Sequence, residues 1–300
     1  MFMSLLLWIT PVLATPLVFY MLPRKLKRWI LLKTFLNDTQ KPQSDITYEA
    51  AILPHSELKQ ISENLWIVSG TLPQPGPKFN RNMTIFRIPK TNKLVLHSVI
   101  CLNQTVREVL DSLGKVSYII VPSSMHRLDA RHYQKMYPKA KVVCPEGARS
   151  KMNGWVDIDN SVENILDTSS DYMGIKWLRV DGATASDKKP IELVYLLDLE
   201  DAENSKALCC SDIFFNINPE SADFVTKMIG SANGFGMTSI GMIMAEDPGR
   251  VQQWILKQFF ENENKSDCNI SCIIVGHGDV ILGNEQVKHA LTNAARKLSS

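Results

Sequence analysis

The sequence lacks several features that would place a chain of 300 residues in a protein class at once. Its six cysteines include no CxxC pair and no regular framework, so they are predicted to be reduced and mostly buried thiols. The net charge is only +2 and no broad basic face is visible, which leaves nucleic-acid binding without support. A hydrophobic content of 45% with 21% charged residues is ordinary for a globular protein and excludes wholesale disorder.

Charged side chains are missing altogether from residues 1–22. A helix rises about 1.5 Å per residue, so about 20 apolar residues suffice to cross a hydrocarbon core of ~30 Å. The positive residues that follow this stretch, before the first acidic residue, are Arg24, Lys25, Lys27, Arg28 and Lys33. Positive charge on the C-terminal side favours an uncleaved anchor over a cleaved signal peptide. We therefore predict a single-pass membrane protein whose main domain is cytosolic.

A lumenal, glycosylated enzyme stays open as an alternative, because the chain contains N-x-S/T sequons. They are at Asn37, Asn82, Asn103, Asn264 and Asn269. Sequons often arise by chance, whereas the charge asymmetry and the absence of a disulfide framework both agree with the cytosol. The cytosolic prediction rests on those two features.

The charge pattern divides the rest of the chain into a short basic region and a domain. Residues 23–36 are basic and amphipathic, as is typical of a helix lying on anionic lipid, so membrane lipid is the predicted partner of residues 1–36. Residues 37–48 are polar and complete a juxtamembrane segment and linker over 23–48. Residues 49–300 are predicted to form one domain.

Short apolar runs rich in β-branched residues follow one another from Leu65 onward. They occupy residues 65–70, 82–89, 93–99, 117–121, 141–144, 175–180, 192–197, 206–210 and 271–276. Several are continuously apolar, which is typical of strands covered on both faces. Helical patterns occur at residues 105–114, 129–137 and 247–260, and in a C-terminal stretch with Asn284 as its N-cap. This order predicts an α/β domain of two sheets layered with helices.

One apolar segment fits neither pattern. Residues 228–244 are rich in Met and Gly but lack the Lys-Ser/Thr ending of a phosphate-binding loop. We predict that this segment belongs to the core, with a flexible lid or a lipid-facing surface as alternatives.

Three of the six histidines follow apolar strands, as does one aspartate. His97 comes after KLVL, His126 after SYIIVPSSM, His277 after SCIIVG, and Asp212 after ALCCS. Strand ends that meet at one edge of a sheet are where α/β proteins assemble their sites. A lone histidine is more often structural, but three imidazoles and a carboxylate at such positions predict a metal site.

The ordered motifs also carry a resemblance to a known family. LWIVSG, NMTIFRI, KLVLHSV, SYIIVPSSMHRLD, YPKAKVVCPEG, CSDIFFNI and VGHGD resemble an uncharacterised family with a degenerate metallo-β-lactamase-like (metallo-hydrolase/oxidoreductase) fold. The similarity covers most of residues 63–282, with departures at Asn82 (often Arg), Val99 (Pro) and Ser123 (Asn). It implies an αββα sandwich of metallo-β-lactamase type, preceded here by the predicted transmembrane helix.

The wider metallo-β-lactamase superfamily binds two metal ions through His-x-His-x-Asp-His, a later Gly-His, a bridging Asp and a final His. The first element falls on residues 124–129, where only its second histidine is kept, as His126. Leu128 replaces the carboxylate of that element, and Ala183 stands where the later histidine is expected. The resemblance implies that Asp212 is the bridging carboxylate and His277 the final histidine.

Too few ligands remain for two ions, which need about six or seven protein ligands between them. The resemblance leaves one divalent ion (zinc, iron or manganese) held by His126, Asp212 and His277. Asp129 has the last position of the first element, and His97 stands where the superfamily has a structural Asp. These two are the predicted catalytic residues, as orienting or proton-handling groups. Alternatively, all these side chains hydrogen-bond to one another in a polar pocket without metal.

The predicted function is a membrane-anchored, single-metal hydrolase of an ester-like or lipid-related small molecule. Three protein ligands and a water form the usual arrangement of catalytic zinc. The alternative is a catalytically inactive binding or scaffold domain that retains the fold but not the metal centre.

Overall fold

The computed structural model describes residues 19, 21–36, 46–74, 78–169, 173–183, 190–201, 204–228, 230–261 and 269–299. Within that part of the chain, none of the helices combines the length and the hydropathy that crossing a membrane requires. The predicted membrane span at residues 1–22 lies almost entirely outside the described residues, as does most of the predicted linker. Both stay predictions.

Helices are distributed along the whole described chain. They are α1 (Arg24–Leu36), α2 (Tyr48–Ala51), α3 (Gln104–Leu113), α4 (Ala130–Met136), α5 (Val162–Thr168), α6 (Phe224–Met228), α7 (Ser239–Met244), α8 (Pro248–Phe259) and α9 (Asn284–Lys297), with a 3₁₀ helix at Glu146–Lys151.

The strands form two large sheets and a small ribbon. The first sheet contains β1 (Lys59–Ser62), β2 (Leu65–Thr71), β3 (Asn80–Arg87), β4 (Lys93–His97), β5 (Lys115–Ile120), β6 (Lys141–Cys144) and β7 (Asn160–Ser161), in that order. The second contains β8 (Ile175–Leu178), β9 (Val194–Asp198), β10 (Lys206–Cys209), β13 (Ile270–Ile274) and β14 (Ile281–Leu282), in the order β14-β13-β10-β9-β8. The ribbon pairs β11 (Phe215–Ile217) with β12 (Gly234–Gly236).

Strand direction changes within each large sheet. The first sheet is antiparallel from β1 to β4 and parallel from β4 to β7, where helices cross between the strands. In the second sheet β10 and β13 are parallel and the other pairs are antiparallel. The parallel strands of both sheets therefore bring their carboxyl ends to edges where side chains from separate parts of the chain can meet.

Buried apolar side chains form three cores stacked through the molecule. One lies between the first sheet and helices α3 and α4, one between the two sheets, and one between the second sheet and helices α8 and α9. The layers thus follow the order helix, sheet, sheet, helix, which is the αββα arrangement predicted from the sequence resemblance.

Strand β2 shows why continuous apolar runs form these strands. Successive side chains of a strand point to opposite faces. Leu65 and Ile67 lie in the core between the sheets, whereas Trp66 and Val68 lie in the core beneath the helices. Strand β9 repeats this alternation. Because both faces of these strands are covered, a polar side chain on either face would be buried. The strand sequences are therefore continuously apolar and do not alternate between polar and apolar residues.

Element boundaries differ from the sequence prediction at the C-terminal helix. The N-cap position of α9 is Gly283, with φ of 93°, and Asn284 is the first helical residue. Asn284 stands one position too late to be the N-cap, and its side-chain amide donates to Asn269 Oδ1 at 2.9 Å. The predicted apolar face is buried as expected, at Val287, Leu291, Ala294 and Leu298.

The Met- and Gly-rich segment 228–244 is divided between core and surface. It contains strand β12 and helix α7, and Phe235 and Met237 lie in the core beneath α8 and α9. Met228 at its start is 62% exposed. The core prediction is therefore right for the middle of this segment and wrong for its first residue.

Two buried charged side chains join strand β3 to the start of α4. Arg81 Nη2 lies 2.8 Å from Asp129 Oδ2, and the side chains are only 8% and 3% exposed. Arg81 Nε also donates to Thr71 O, and Asp129 Oδ2 accepts from the Cys101 N–H. Each of the two charges needs the other, because a buried charge without its partner carries a large desolvation cost.

We expect Asp129→Asn to lower the free energy of unfolding by about 3–5 kcal/mol, because it leaves the Arg81 guanidinium buried without its counterion. Urea unfolding of the purified protein measures this. Asp181→Asn, which breaks an exposed ion pair with Arg250, is the matched control and should leave the unfolding midpoint unchanged. Equal midpoints for the two variants would contradict a structural role for Asp129.

Candidate metal centre

Three polar side chains converge where the two sheets meet. His126 follows strand β5 of the first sheet, whereas Asp212 and His277 follow the neighbouring parallel strands β10 and β13 of the second. One ligand atom from each lies within 4.8 Å of the others. Asp212 Oδ1 is 3.0 Å from His126 Nε2 and 3.4 Å from His277 Nε2.

Each histidine is oriented through its second ring nitrogen. His277 Nδ1 lies 2.8 Å from the carbonyl oxygen of Asn80, and His126 Nδ1 lies 2.6 Å from Ser98 Oγ. A carbonyl oxygen only accepts, so Nδ1 of His277 donates to Asn80 O, and Nε2 is the ring atom that faces Asp212. Ser98 reaches His126 from a left-handed backbone conformation, with φ of 59°. Both Nε2 atoms are thereby directed at the same carboxylate.

Asp212 is held from two sides. Its Oδ2 accepts from Ser123 Oγ at 3.0 Å, and the surrounding turn is held by Glu192. The Glu192 carboxylate is buried and accepts the backbone N–H groups of Ser211 and Ile213 at 3.1 and 3.0 Å. A second acidic side chain therefore lies directly behind the turn that carries Asp212.

The electrostatics of the cluster favour an ionised Asp212. Burial by itself raises the pKa of Asp212, but His126 and His277 outweigh burial and hold the pKa well below its usual range. Burial, and then the charge of Asp212, raise the pKa of Glu192 well above its usual range. The side chain of Asp212 is 27% exposed, so the cluster is open to solvent on one side.

Two asparagines of strand β3 join the first sheet to the loop that carries His277. Asn82 Nδ2 donates to Val275 O and Gly278 O, both at 2.8 Å, and its backbone N–H donates to Gly276 O. Asn80 donates to Gly278 O and accepts the Gly278 N–H. Asn82 is 2% exposed, so this sequon offers no side chain for a glycan in the folded protein.

The two glycines beside His277 are required by close packing. Gly278 has φ of 106°, and a Cβ there would lie 2.0 Å from Asn216 O. A Cβ on Gly276 would lie 3.2 Å from His126 Cε1 and 3.0 Å from Ser211 Cα. Glycine at 276 therefore lets the His126 ring approach the loop that carries His277, and glycine at 278 lets that loop pack against strand β11.

An aromatic wall covers one side of His277. Phe79 and Phe215 pack against the imidazole with ring centroids 4.9 and 4.8 Å away, and they contact each other edge to face. Met125, directly before His126, is 45% exposed. The solvent-facing side of the cluster therefore has apolar surface next to its polar atoms.

The donor set fits one divalent ion. Imidazole nitrogen and carboxylate oxygen bind zinc at about 2.0–2.2 Å, so tetrahedral ligands stand about 3.3 Å from one another. The two separations that involve Asp212 are 3.0 and 3.4 Å. The Nδ1 atoms of His126 and His277 contact Ser98 Oγ and Asn80 O, and contacts of this kind orient metal-binding imidazoles.

The predicted catalytic residues lie outside this cluster. Asp129 is paired with Arg81, as described above. His97 is buried with its Nδ1 3.7 Å from Cys209 Sγ and its ring edge-on to Tyr195. Burial, and then His126, lower the pKa of His97 to about 3, so its ring is neutral at pH 7. Its Nε2 has no hydrogen-bond partner among the described residues and, with Tyr195, borders a cavity of about 10 Å³.

Sequence reasoning missed the residues that support the cluster. They are Asn80, Asn82, Ser98, Ser123 and Glu192. Only the departures from the family pattern at Asn82 and Ser123 pointed toward any of them. Glu192 opens an apolar strand-like run and gave no signal, because its role depends on a turn about 20 residues later in the chain.

Comparisons with known proteins identify the fold. No family model matches the chain, and no curated protein matches it. Solved structures do match over most of its length. The DIM-1 metallo-β-lactamase exposed to ceftazidime aligns with a TM-score of 0.53 at 11% identity, over 83% of this chain and 100% of that one. The metallo-β-lactamase FIM-1 from Pseudomonas aeruginosa in its mono-zinc form gives 0.52 at 13%, over 83% and 98%. TMB-1 gives 0.52 at 11%, over 83% and 100%. The chain therefore has a metallo-β-lactamase-like fold, as the sequence resemblance predicted.

We expect Asn82→Ala to lower the free energy of unfolding by about 1–3 kcal/mol, because it leaves the Val275 carbonyl without its Asn82 donor and removes one of the two side-chain donors to Gly278 O. Chemical unfolding measures this, and the ¹⁵N-imidazole resonances of His126 and His277 report whether the loop has moved. Asn164→Ala, whose side chain bonds an exposed neighbour, serves as the control. A variant as stable as that control, with unshifted imidazole signals, would show that Asn82 does not join the sheets.

Proposed function

We propose that this protein is a membrane-associated hydrolase that uses one divalent ion, held by His126, Asp212 and His277. The observation that carries the proposal is the convergence of His126 Nε2, His277 Nε2 and Asp212 Oδ1. The other polar atom of each of these side chains is already hydrogen-bonded to another residue. His277 Nε2 lies 3.4 Å from a carboxylate oxygen of Asp212, a separation that either a proton or a bound cation can bridge. A cation there would be neutralised in part by Asp212, whose pKa is held well below its usual range.

A divalent ion at this position supplies a Lewis acid for an ester carbonyl and lowers the pKa of a bound water to ~7. The chain's own residues hold and shape the site. Ser98 and the Asn80 carbonyl fix the two imidazoles, and Ser123 fixes the outer oxygen of Asp212. Phe79 and Phe215 exclude water from one side of His277.

The substrate class follows from the surface around the cluster and from the N-terminal sequence. Apolar side chains stand next to the polar atoms, so a small ester or lipid-like molecule with a large apolar part suits the site better than a highly charged one. The predicted anchor at residues 1–22 and the juxtamembrane segment at 23–48 would keep the domain at 49–300 beside a membrane, on its cytosolic side. FIM-1 in its mono-zinc form is a protein of this fold with a single zinc.

One contact favours the catalytically inactive alternative. His126 Nε2 and Asp212 Oδ1 are 3.0 Å apart, which is an ordinary hydrogen-bond distance. The cluster could therefore be a self-contained polar network in a binding or scaffold domain. Measuring bound metal separates the two functions.

We expect the purified full-length protein, after reconstitution with zinc, iron or manganese, to bind close to one ion per chain. Alanine at His126, Asp212 or His277 should weaken binding by at least about 100-fold, because loss of an orienting group alone costs 10–100-fold. Elemental analysis and chelator competition measure this. The same alanine variants should also lose turnover of a chromogenic ester.

His289→Ala, which removes an exposed histidine on α9, is the matched control and should bind the ion like the original chain. If no ion reaches near-stoichiometric occupancy with any of the three metals, the hydrolase proposal fails and the inactive binding domain is left.

A further inference from the structure

Helix α1 is fastened to the domain by two arginines. Arg24 Nη2 donates to Met242 O at 3.2 Å and to Ala245 O at 2.6 Å, and Arg28 Nε donates to Met244 O at 3.2 Å. These carbonyls lie at the C-terminal end of α7, where they lack helical partners and carry partial negative charge. The arginines therefore cap α7 and fix how α1 lies on the domain.

The outward face of α1 combines exposed apolar groups with positive charge. Leu26 and Trp29 are 42% and 54% exposed, and Met21 just before the helix is 78% exposed. Lys33 Nζ stands 4.5 Å from the centre of the Trp29 ring. The first turn of α1 contains no acidic residue, and neither does the rest of its sequence. Tryptophan beside lysine on one exposed helix face is typical of helices at a membrane interface.

An open groove of about 630 Å³ runs along α1, and we refer to it as the α1 groove. Its lining residues are Arg24, Lys25, Arg28, Trp29, Leu32, Lys33 and Glu246. Four cations face a single carboxylate there, so the groove carries net positive charge over a partly apolar floor. Its volume is in the range that accepts a small organic group.

We propose that the α1 groove binds the phosphate-bearing head group of an anionic phospholipid in a bilayer, with Trp29 and Leu26 at the boundary between head groups and acyl chains. The cations match a phosphate, and the exposed apolar side chains match the hydrocarbon beneath it. An acidic peptide or free phosphate would satisfy the charges but leave Trp29 and Leu26 in water. The uncharged stretch at residues 1–22 directly precedes this helix.

Lipid binding in the α1 groove gives the domain one orientation at the membrane. Helix α7, which α1 caps, follows strand β12, and its partner β11 begins at Phe215, three residues after Asp212. The bilayer contact and the metal cluster thus belong to one connected structural unit. The inference rests on the membrane association proposed above and is independent of any metal.

Flotation of the full-length protein with phosphatidylcholine vesicles, with and without phosphatidylglycerol, tests this proposal. The variant is Lys25→Gln with Lys33→Gln, since neither lysine caps α7. The matched control is Lys135→Gln with Lys288→Gln, two exposed lysines away from α1. Each lysine near an anionic surface is worth about fivefold in affinity, so the variant should lose roughly 10- to 30-fold of the preference for anionic vesicles. The control should lose none.

Further outcomes each decide the matter. Quenching of tryptophan fluorescence by brominated lipid that is larger in the original chain than in Trp29→Phe, by a difference that grows with phosphatidylglycerol, supports the proposal. Flotation and Trp29 quenching that are both indifferent to phosphatidylglycerol would overturn the α1 groove as a head-group site while leaving membrane association in place. Failure to float with either would remove membrane association as well. If inorganic phosphate at matched ionic strength removes the preference for anionic vesicles, the α1 groove binds free phosphate instead and the proposal fails. If the protein forms a dimer without lipid and the lysine variant does not, the α1 groove binds a second copy of the chain instead.

Discussion

The candidate site depends on the hydrogen bonds that hold the two sheets together beside it. Asn80 and Asn82 on the first sheet bind backbone groups at residues 275–278, which follow strand β13 of the second sheet. His126 belongs to the first sheet, whereas Asp212 and His277 belong to the second. Together with the apolar core between the sheets, this contact fixes the loop that carries His277 relative to the first sheet. Gly276 leaves room for the His126 ring, and Gly278 leaves room for the backbone of Asn216.

Charge is arranged around the cluster in a way that suits a cation. Asp212 stays ionised against the cost of burial because two imidazoles face it. Glu192 lies behind the same turn and accepts the backbone N–H groups of Ser211 and Ile213. The cluster contains three donor side chains. In the sequence resemblance, Ser124, Leu128 and Ala183 stand at positions where the superfamily has metal ligands, so a second ion would lack those ligands. Among the described residues, the cluster therefore offers one set of three donor side chains.

The fold was largely predictable, because most of its strands are continuous apolar runs and the apolar residues of its longer helices recur with the helical period. Elements such as β7 and β14 were missed, since two residues are too few to show a pattern. The sequence also placed His126, Asp212 and His277 at strand ends, and the structure brings these three together. It could not separate them from His97, which also ends a strand but points between the sheets toward Tyr195. Nor could it show that Arg81 pairs with Asp129, because that contact joins residues 48 positions apart.

Anomalous X-ray diffraction at the zinc edge, from crystals of the zinc-loaded full-length protein, tests the central claim most directly. The account predicts a single peak about 2.0–2.2 Å from His126 Nε2, His277 Nε2 and a carboxylate oxygen of Asp212. A cluster without a peak, in a protein that binds zinc elsewhere or not at all, would contradict it.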